Sequence, residues 1–521
     1  LADAAEIGGF RDVARRAARA YFRRMAQVIE TSFGKLEGTA REGHVAFLGV
    51  PYAAPPVGER RFSPPQTAES WAGVRDATQY APSCPQPPSP LPGMVAGPTE
   101  EALCLNLNVF TPAIDEAKRP VMVWIHGGAF TTGSGRQAMY DGGPLVRRGD
   151  VVVVTVNYRL GMLGWFMPDE GSDGARPNAG LLDQIAALHW VRENIQRFGG
   201  DPANVTIFGE SAGGMSVATL MATPAARGLF HKAIPQSGAA QATLTHEQSA
   251  EATAELGRQL GHTSFSLRKL RAASPEDLIA AQIKVTEKLQ LDRLLTWAPV
   301  VDGEILPEHP LEAIRGGYAA DIPLLIGSTA DEWRLFTIAV PGHREMDAAG
   351  LLHSIGRRLQ ALGDGDAEEM IGLYGPGECC EIFDAIETDR IFRVPAIQLA
   401  EAQHAHQRQT FMYRFSWPSP ALRGRLGACH AVELPFVFGT LDTPGMDNFA
   451  GSGAAAEALS GRVMDAWLAF ARHGDPACGG AIDWTPFDAL RRTTFDFAAD
   501  SRVLERPGEE RREAWAAVLE N

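Results

Sequence analysis

No uninterrupted apolar run comes near the roughly 18 residues of a membrane-spanning helix. The longest strand-like runs, around Val121 to Ile125 and Val151 to Val156, are far shorter, so no integral membrane segment is expected. Positive charge is in deficit: 48 Lys and Arg against 63 Asp and Glu give a formal net charge of −15. That balance disfavours a polyanion and argues against a nucleic-acid partner. Cysteine is scarce as well. Six in 521 residues are too few for a disulfide scaffold, and none has metal-ligand spacing, so neither a metal nor another cofactor is expected. Cys84 and Cys104 are close enough to close a proline-rich loop, and a bridge there would contribute about 3 kcal/mol on the chain-entropy account and favour a compartment outside the cytoplasm. Cys379, Cys380, Cys429 and Cys478 read as free thiols.

What the chain does have is 45% hydrophobic residues, enough to bury a large core. Residues 1–30 stand apart as a basic amphipathic helical extension. Arg11, Arg15, Arg16, Arg19, Arg23 and Arg24 interleave there with Phe10, Val13, Ala17, Tyr21, Met25 and Val28, a pattern that suits either a terminal helix with solvated arginines or a surface-binding helix. Residues 31–521 read as one catalytic domain in which strand-like and helix-like segments alternate. The strands are expected at Val121 to Ile125, Val151 to Asn157, Val205 to Phe208, Ala233 to Gln236, Pro323 to Gly327, Phe411 to Phe415 and Thr493 to Phe497. Helices are expected at Leu181 to Arg197, Gly214 to Ala222, Glu247 to Leu260 and Gly461 to His473. This alternation predicts an α/β fold with a large, mostly parallel sheet covered by helices on both faces. The helix-rich stretches 247–320 and 345–408 read as excursions that could build a substrate entrance.

Two motifs carry chemistry. Gly209, Glu210, Ser211, Ala212 and Gly213 follow the apolar run Val205 to Phe208 and precede a helix-like stretch. Strand, sharp turn with a serine, then helix is the arrangement of a nucleophile elbow, whose strained backbone tolerates only small neighbours. The second motif, His126, Gly127, Gly128, Ala129 and Phe130, directly follows the strand Val121 to Ile125. Backbone N–H groups of Gly127 and Gly128, with that of Ala212, would form a three-donor oxyanion hole for an acyl-transfer intermediate.

A serine hydroxyl needs a histidine base and an orienting carboxylate. Asp331 and Glu332 both sit in a loop after the strand Pro323 to Gly327, and spacing does not choose between them. Of the six histidines beyond, His430 stands out, in a Gly427, Ala428, Cys429, His430 loop ahead of Glu433 and an apolar run.

From about Thr31 to its end the chain resembles the type-B carboxylesterases, a family that includes cholinesterases and bacterial para-nitrobenzyl esterases. The resemblance rests on ordered blocks: Phe47 to Ala53 with Pro55 to Gly58, the His126 block, Asn157 to Gly161, Asn178 to Gln184, Phe198 to Gly213, Pro299 to Gly303 and the His430 block. It implies an α/β-hydrolase fold, hydrolysis of a small-molecule carboxylic ester through an acyl-enzyme, Glu332 as the acid and His430 as the base. It also implies supporting places for Glu210 and Ser237 near the triad. Trp297, Trp333, Phe438 and Met215 are candidate substrate-binding residues.

The chain departs from the family at three points. Trp333 and Arg334 follow the acid where glycine is usual, and Ala102 and Leu103 replace an acidic pair, leaving Glu100 or Glu101 to partner Arg61. The segment between Cys84 and Cys104 has no aromatic residue to hold a quaternary ammonium by cation–π attraction, which argues against a choline ester. The same triad would serve an amide or carbamate hydrolase, and a non-catalytic adhesion protein on this scaffold would be expected to lack a working triad. The residues do not fix an oligomeric state.

Overall fold

β-branched and aromatic runs build a single twisted sheet in the computed structural model, which describes residues 27–89, 95–168, 174–261, 266–289, 295–363, 365–477, 480 and 482–519. Its antiparallel side comprises Gln27–Thr31 (β1), Gly34–Arg41 (β2), His44–Pro51 (β3) and Asn106–Thr111 (β5), with Val74–Asp76 (β4) added beside β2. Then come Arg119–Ile125 (β6), Val152–Val156 (β7), Gly200–Glu210 (β8), Lys232–Gln236 (β9), Leu324–Thr329 (β10), Thr410–Phe415 (β11) and Thr494–Phe497 (β12). These seven are parallel to one another in the order β7-β6-β8-β9-β10-β11-β12, and Arg502–Leu504 (β13) closes the edge antiparallel to β12.

Every strand expected from the sequence is present with ends shifted by a few residues. The apolar runs are continuous because helices cover both faces. Val121, Val123 and Ile125 pack into one core with Val154 and Ile207, whereas Met122 and Trp124 enter the opposite core with Val153 and Phe208. The expected helices form at Ala179–Asn194, Ala212–Met221, His246–Gln259 and Ala454–His473.

Two expectations are corrected. Residues 27–30, assigned above to the helical extension, belong with Thr31 to a strand in register with Gly34–Gly38, because Ile29 and Thr31 alternate inward while Val28 stays exposed. The arginines of residues 1–26 lie outside the described residues. Nor do Cys84 and Cys104 form a bridge. Both are buried free thiols, with Cys84 Sγ donating to the Cys104 carbonyl at 3.8 Å. Hydrogen bonds hold this segment instead: Ser83 N–H donates to Pro98 O, Glu100 N–H to Ser83 O, and Asn106 Nδ2 to Pro82 O, at 2.9, 3.0 and 2.9 Å. Cys478 lies outside the described residues. Glu101 supplies the partner of Arg61, accepting from its Nε at 2.6 Å. Among the described residues, no helix is long and apolar enough to cross a membrane.

The chain leaves β6 toward β7 and later returns on the other side of β6 to enter β8, then β9. Successive loops therefore diverge between β6 and β8, opening the kind of crevice that receives ligands in open α/β sheets. The loop after β7 is fixed by Arg159, whose Nε and Nη2 both reach the Asp183 carboxylate at 2.7 Å in a fully buried pair. Asp183→Ala leaves that guanidinium unpaired, and the expected cost is about 3–5 kcal/mol, read as a lowered midpoint in urea unfolding.

Candidate active site

The site is assembled at the carboxyl ends of adjacent strands β6, β8, β9, β10 and β11. At the end of β8 the backbone turns sharply, placing Ser211 at φ 56° and ψ −125°, immediately before the helix Ala212–Met221. Only residues without side chains fit beside it. A Cβ on Gly209 would lie 2.6 Å from both Ile125 O and Gly213 O, and one on Gly213 would collide with the Ile125 carbonyl. The Ser211 amide is anchored on Gln236 O of β9 at 2.9 Å.

After β6, Gly127 passes so close that an added Cβ would stand 3.0 Å from Ser211 Cβ. Gly128 has φ 109° and accepts from the amides of Thr131 and Thr132 at 3.0 and 2.9 Å. The preceding His126 is buried and stacked on Tyr158 at 4.6 Å, with Tyr158 Oη donating to its carbonyl at 2.8 Å. Burial pushes its imidazole down to about 4, so it is neutral. Gly127 and Ala212 thus flank the serine, with Gly128 next along the turn after β6. Their N–H groups have no hydrogen-bond partner among the described residues.

Glu332 and Asp331 part company here. Glu332 is fully buried. Its Oε2 lies 2.5 Å from His430 Nδ1, and its Oε1 accepts from Thr329 N at 2.7 Å. With Glu332 at Nδ1, Nε2 faces the other way. Asp331 accepts instead from Ala428 N at 2.9 Å, while its own amide donates to Ala428 O at 2.9 Å, tying the acid loop to the histidine loop. His430 Nε2 is 2.9 Å from Glu210 Oε1, the residue preceding Ser211. Burial pulls the His430 imidazole down, but the Glu210 and Glu332 carboxylates outweigh it and hold it well above its ordinary value.

Three residues near the imidazole were not singled out from sequence. Phe336 and Phe392 stack 6.1 Å apart, with ring centroids 5.0 and 4.9 Å from His430. Glu433 is buried, accepts from Gln236 Nε2 at 3.1 Å, and is pushed up to about 8 by burial and by Glu210 and Glu332. Its signal was present in the sequence: an acid three residues after His430, at the edge of the apolar run Leu434 to Phe438.

The other expected residues divide. Ser237 closes β9 at φ 44°, fully buried, its Oγ without a partner. Met215, one turn into the helix after Ser211, lines a cavity of about 740 Å³. Trp333 packs at 4.9 Å from Phe336 and donates its amide to Thr388 Oγ1, so the bulky residue after the acid is absorbed into an aromatic wall. Phe438 is not at the site. Its ring lies in the core on Trp124 and Phe208, at 5.0 and 5.6 Å, because the short helix Leu434–Phe438 turns it under the sheet. Trp297 is likewise buried, bonded to Thr286 Oγ1 at 3.2 Å. No group of His, Cys, Asp and Glu among the described residues is arranged to hold a metal ion.

A parallel sheet with a serine elbow after β8, an acid after β10 and a histidine after β11 is the α/β-hydrolase arrangement. Residues 25–515 match the carboxylesterase family, and the chain belongs to it. It is 42% identical to the para-nitrobenzyl esterase of Bacillus subtilis (strain 168), covering 94% of this chain and 98% of that protein. It is 36% identical to the phenmedipham hydrolase of Pseudarthrobacter oxydans, covering 89% and 93%. The carboxylesterase structure from Geobacillus stearothermophilus superposes with a TM-score of 0.83 at 40% identity, covering 94% of this chain and 99% of that one. The protein is a serine hydrolase of carboxylic esters.

Gly213→Ala drives a methyl into the Ile125 carbonyl. The expected result is about 1–3 kcal/mol of destabilisation in denaturant unfolding, with para-nitrophenyl ester turnover falling well beyond what the lost stability explains.

Proposed function

We propose that Ser211 attacks the ester carbonyl while His430 accepts its proton, with Glu332 fixing the imidazole tautomer and stabilising its cationic form. The amides of Gly127, Gly128 and Ala212 receive the negative charge that develops on the carbonyl oxygen; each such donor contributes about 10² to 10³ in rate. His430 returns its proton to the departing alcohol, leaving an acyl group on Ser211 Oγ. Water then attacks that acyl-enzyme, with His430 again taking and returning a proton, and the carboxylic acid leaves. The observation that carries this reading is the contact between His430 Nδ1 and Glu332 Oε2 at 2.5 Å, with Nε2 turned to Glu210, the residue next to the elbow serine. Glu210 serves as a positioning residue: its charge lies 2.9 Å from Nε2 and raises the imidazole pKa.

Ser211→Ala and His430→Ala are each expected to lower kcat on para-nitrophenyl butanoate by about 10⁴-fold or more, with an unchanged circular dichroism spectrum. Ser211→Ala should also abolish labelling by a fluorophosphonate. Retained turnover in either variant overturns the assignment.

The general base must be neutral, so activity is lost as pH falls through the His430 pKa. Because two carboxylates hold that pKa above its ordinary value, the acid limb of kcat/KM should lie above pH 6.5. Glu210→Gln removes one stabilising charge and should move that limb to lower pH. An unmoved or raised limb contradicts the positioning role.

A further inference from the structure

The cavity that Met215 lines is about half apolar, with Leu244, Leu295, Leu311, Ile391 and Pro395 beside Met215. Met215 stands one helical turn, about 6 Å of rise, from Ser211, and its amide is bonded to Ser211 O at 2.9 Å. The apolar part of the wall suits a hydrocarbon chain. Three features of the polar part do not.

The first is charge. Arg390 lines the cavity and is paired through Nε and Nη2 with Glu387, at 2.9 and 2.7 Å. Glu387 is fully buried and is also approached at 2.9 Å by Arg358 Nε. Among the described residues two guanidiniums share this one carboxylate, an excess of one positive charge at the cluster. The remaining titratable groups of the wall do not cancel it. Glu312 and Arg315 pair with each other at 2.5 Å, and burial pulls the His309 imidazole down. Asp389, the neighbour of Arg390, is engaged by Arg393 at 2.6 Å and by Tyr374 Oη at 2.9 Å.

The second is backbone geometry. Arg390 sits in Asp389–Arg393, where the helix Cys379–Thr388 widens into a π turn before continuing as Val394–His404. Such single-turn widenings recur at functional sites because they displace one side chain from the regular helical face.

The third is an unsatisfied polar atom. Gln241 donates through Nε2 to Ile391 O at 2.7 Å, while its Oε1 is buried in the wall with no partner among the described residues. A buried acceptor left open costs about 1–3 kcal/mol, a cost that a water donating both to it and to a bound carboxylate would relieve.

We propose that this cavity receives the arm of an ester that runs through an apolar chain to a terminal carboxylate, with Arg390 as its counter-charge. The proposal rests on the hydrolase reading above and names the substrate class of that site. Arg390 is then a specificity-determining residue, acting on the non-reacting end of the substrate.

The test compares esters of equal chain length that differ only in the terminal group. For the acyl arm these are para-nitrophenyl hexanoate and the mono-para-nitrophenyl ester of adipic acid. For the alcohol arm they are hexyl butanoate and the butanoate ester of 6-hydroxyhexanoic acid. The ratio of kcat/KM, carboxylate-ended over neutral, is expected to fall at least tenfold in Arg390→Gln for one of the two series, to be largely kept in Arg390→Lys, and to shrink with rising salt. Ratios within twofold of the parent in both series overturn the proposal.

A turnover-independent arm uses Ser211→Ala and isothermal titration calorimetry with the same esters. At least tenfold tighter binding of a carboxylate-ended ester is expected, and equal or weaker binding overturns the proposal. If no ester is turned over by the parent yet this binding preference is present, the hydrolase reading fails and the anion-binding arm stands. If Arg390→Gln does not fold, Arg390→Lys and the salt dependence decide the matter on folded protein.

Discussion

The active centre depends on one backbone constraint: a non-glycine residue held at φ 56° and ψ −125° between a strand and a helix. An L-residue in such a region costs on the order of 1–3 kcal/mol, and the conformation persists only because its surroundings leave the chain no alternative. Those surroundings are backbone against backbone. Gly209, Gly213 and Gly127 let the ends of β6 and β8 close on Ser211, and Gly238 brings the turn after β9 against it as well. The same crowding that strains Ser211 also brings Gly127 against it, so the strain and the proposed oxyanion site share a single packing arrangement.

Around this fixed point the acid and histidine loops are coupled to each other before either meets the serine. Asp331 and Ala428 exchange hydrogen bonds through both amides, and His430 N–H donates to Glu332 O at 3.3 Å. The Asp-Glu pair thus divides two tasks that adjacent residues on a turn are suited to perform. One carboxylate braces the loops and the other orients the imidazole. Gly427, at φ 58°, faces the Asp331 carboxylate where a side chain would collide with it, which explains the glycine three residues before the histidine.

The sequence showed the catalytic centre more clearly than the edges of the fold. Strands β6 to β12 were legible because a parallel sheet buried on both faces writes continuous apolar runs, and the elbow was legible because close backbone approach demands glycine at fixed offsets. Asp331 and Glu332 could not be separated from residues alone, since both are acids in one loop and only the fold decides which faces the histidine. Strands β1 to β5 escaped notice because half-exposed strands such as Gly34–Arg41 alternate with polar residues and resemble loops, while the buried His44–Pro51 and Asn106–Thr111 are interrupted by Gly49 and by Asn106 and Asn108. Phe438 was misplaced for a related reason: an aromatic residue close to a catalytic histidine in sequence can turn into the core within two helical turns. The Cys84 and Cys104 pairing failed because proximity in sequence says nothing about whether hydrogen bonds already close the loop.

The electrostatics of the centre follow from crowding three carboxyl groups around one imidazole. Glu210, Glu332 and Glu433 are all buried, and three adjacent charges in that setting would cost more than a single imidazolium could offset. Glu433, pushed up to about 8, takes up a proton at neutral pH and relieves the conflict. Glu210 and Glu332 lie on opposite sides of His430, at 2.9 and 2.5 Å. An imidazole flanked in this way is stabilised when it gains a proton, which is its state once the serine has been deprotonated. In the mechanism proposed above that charge pattern would favour the tetrahedral intermediate, a differential interaction of the kind that lowers a barrier instead of merely tightening substrate binding. The polar part of the cavity wall, with Arg390 paired to a shared Glu387, has the opposite sign and acts on the part of the substrate where no charge changes. Chemistry and selection thus fall to separate residues linked by two elements: the helix that begins at Ala212 and carries Met215, and the turn Asp389–Arg393, which carries Arg390 beside the cavity and Phe392 against His430.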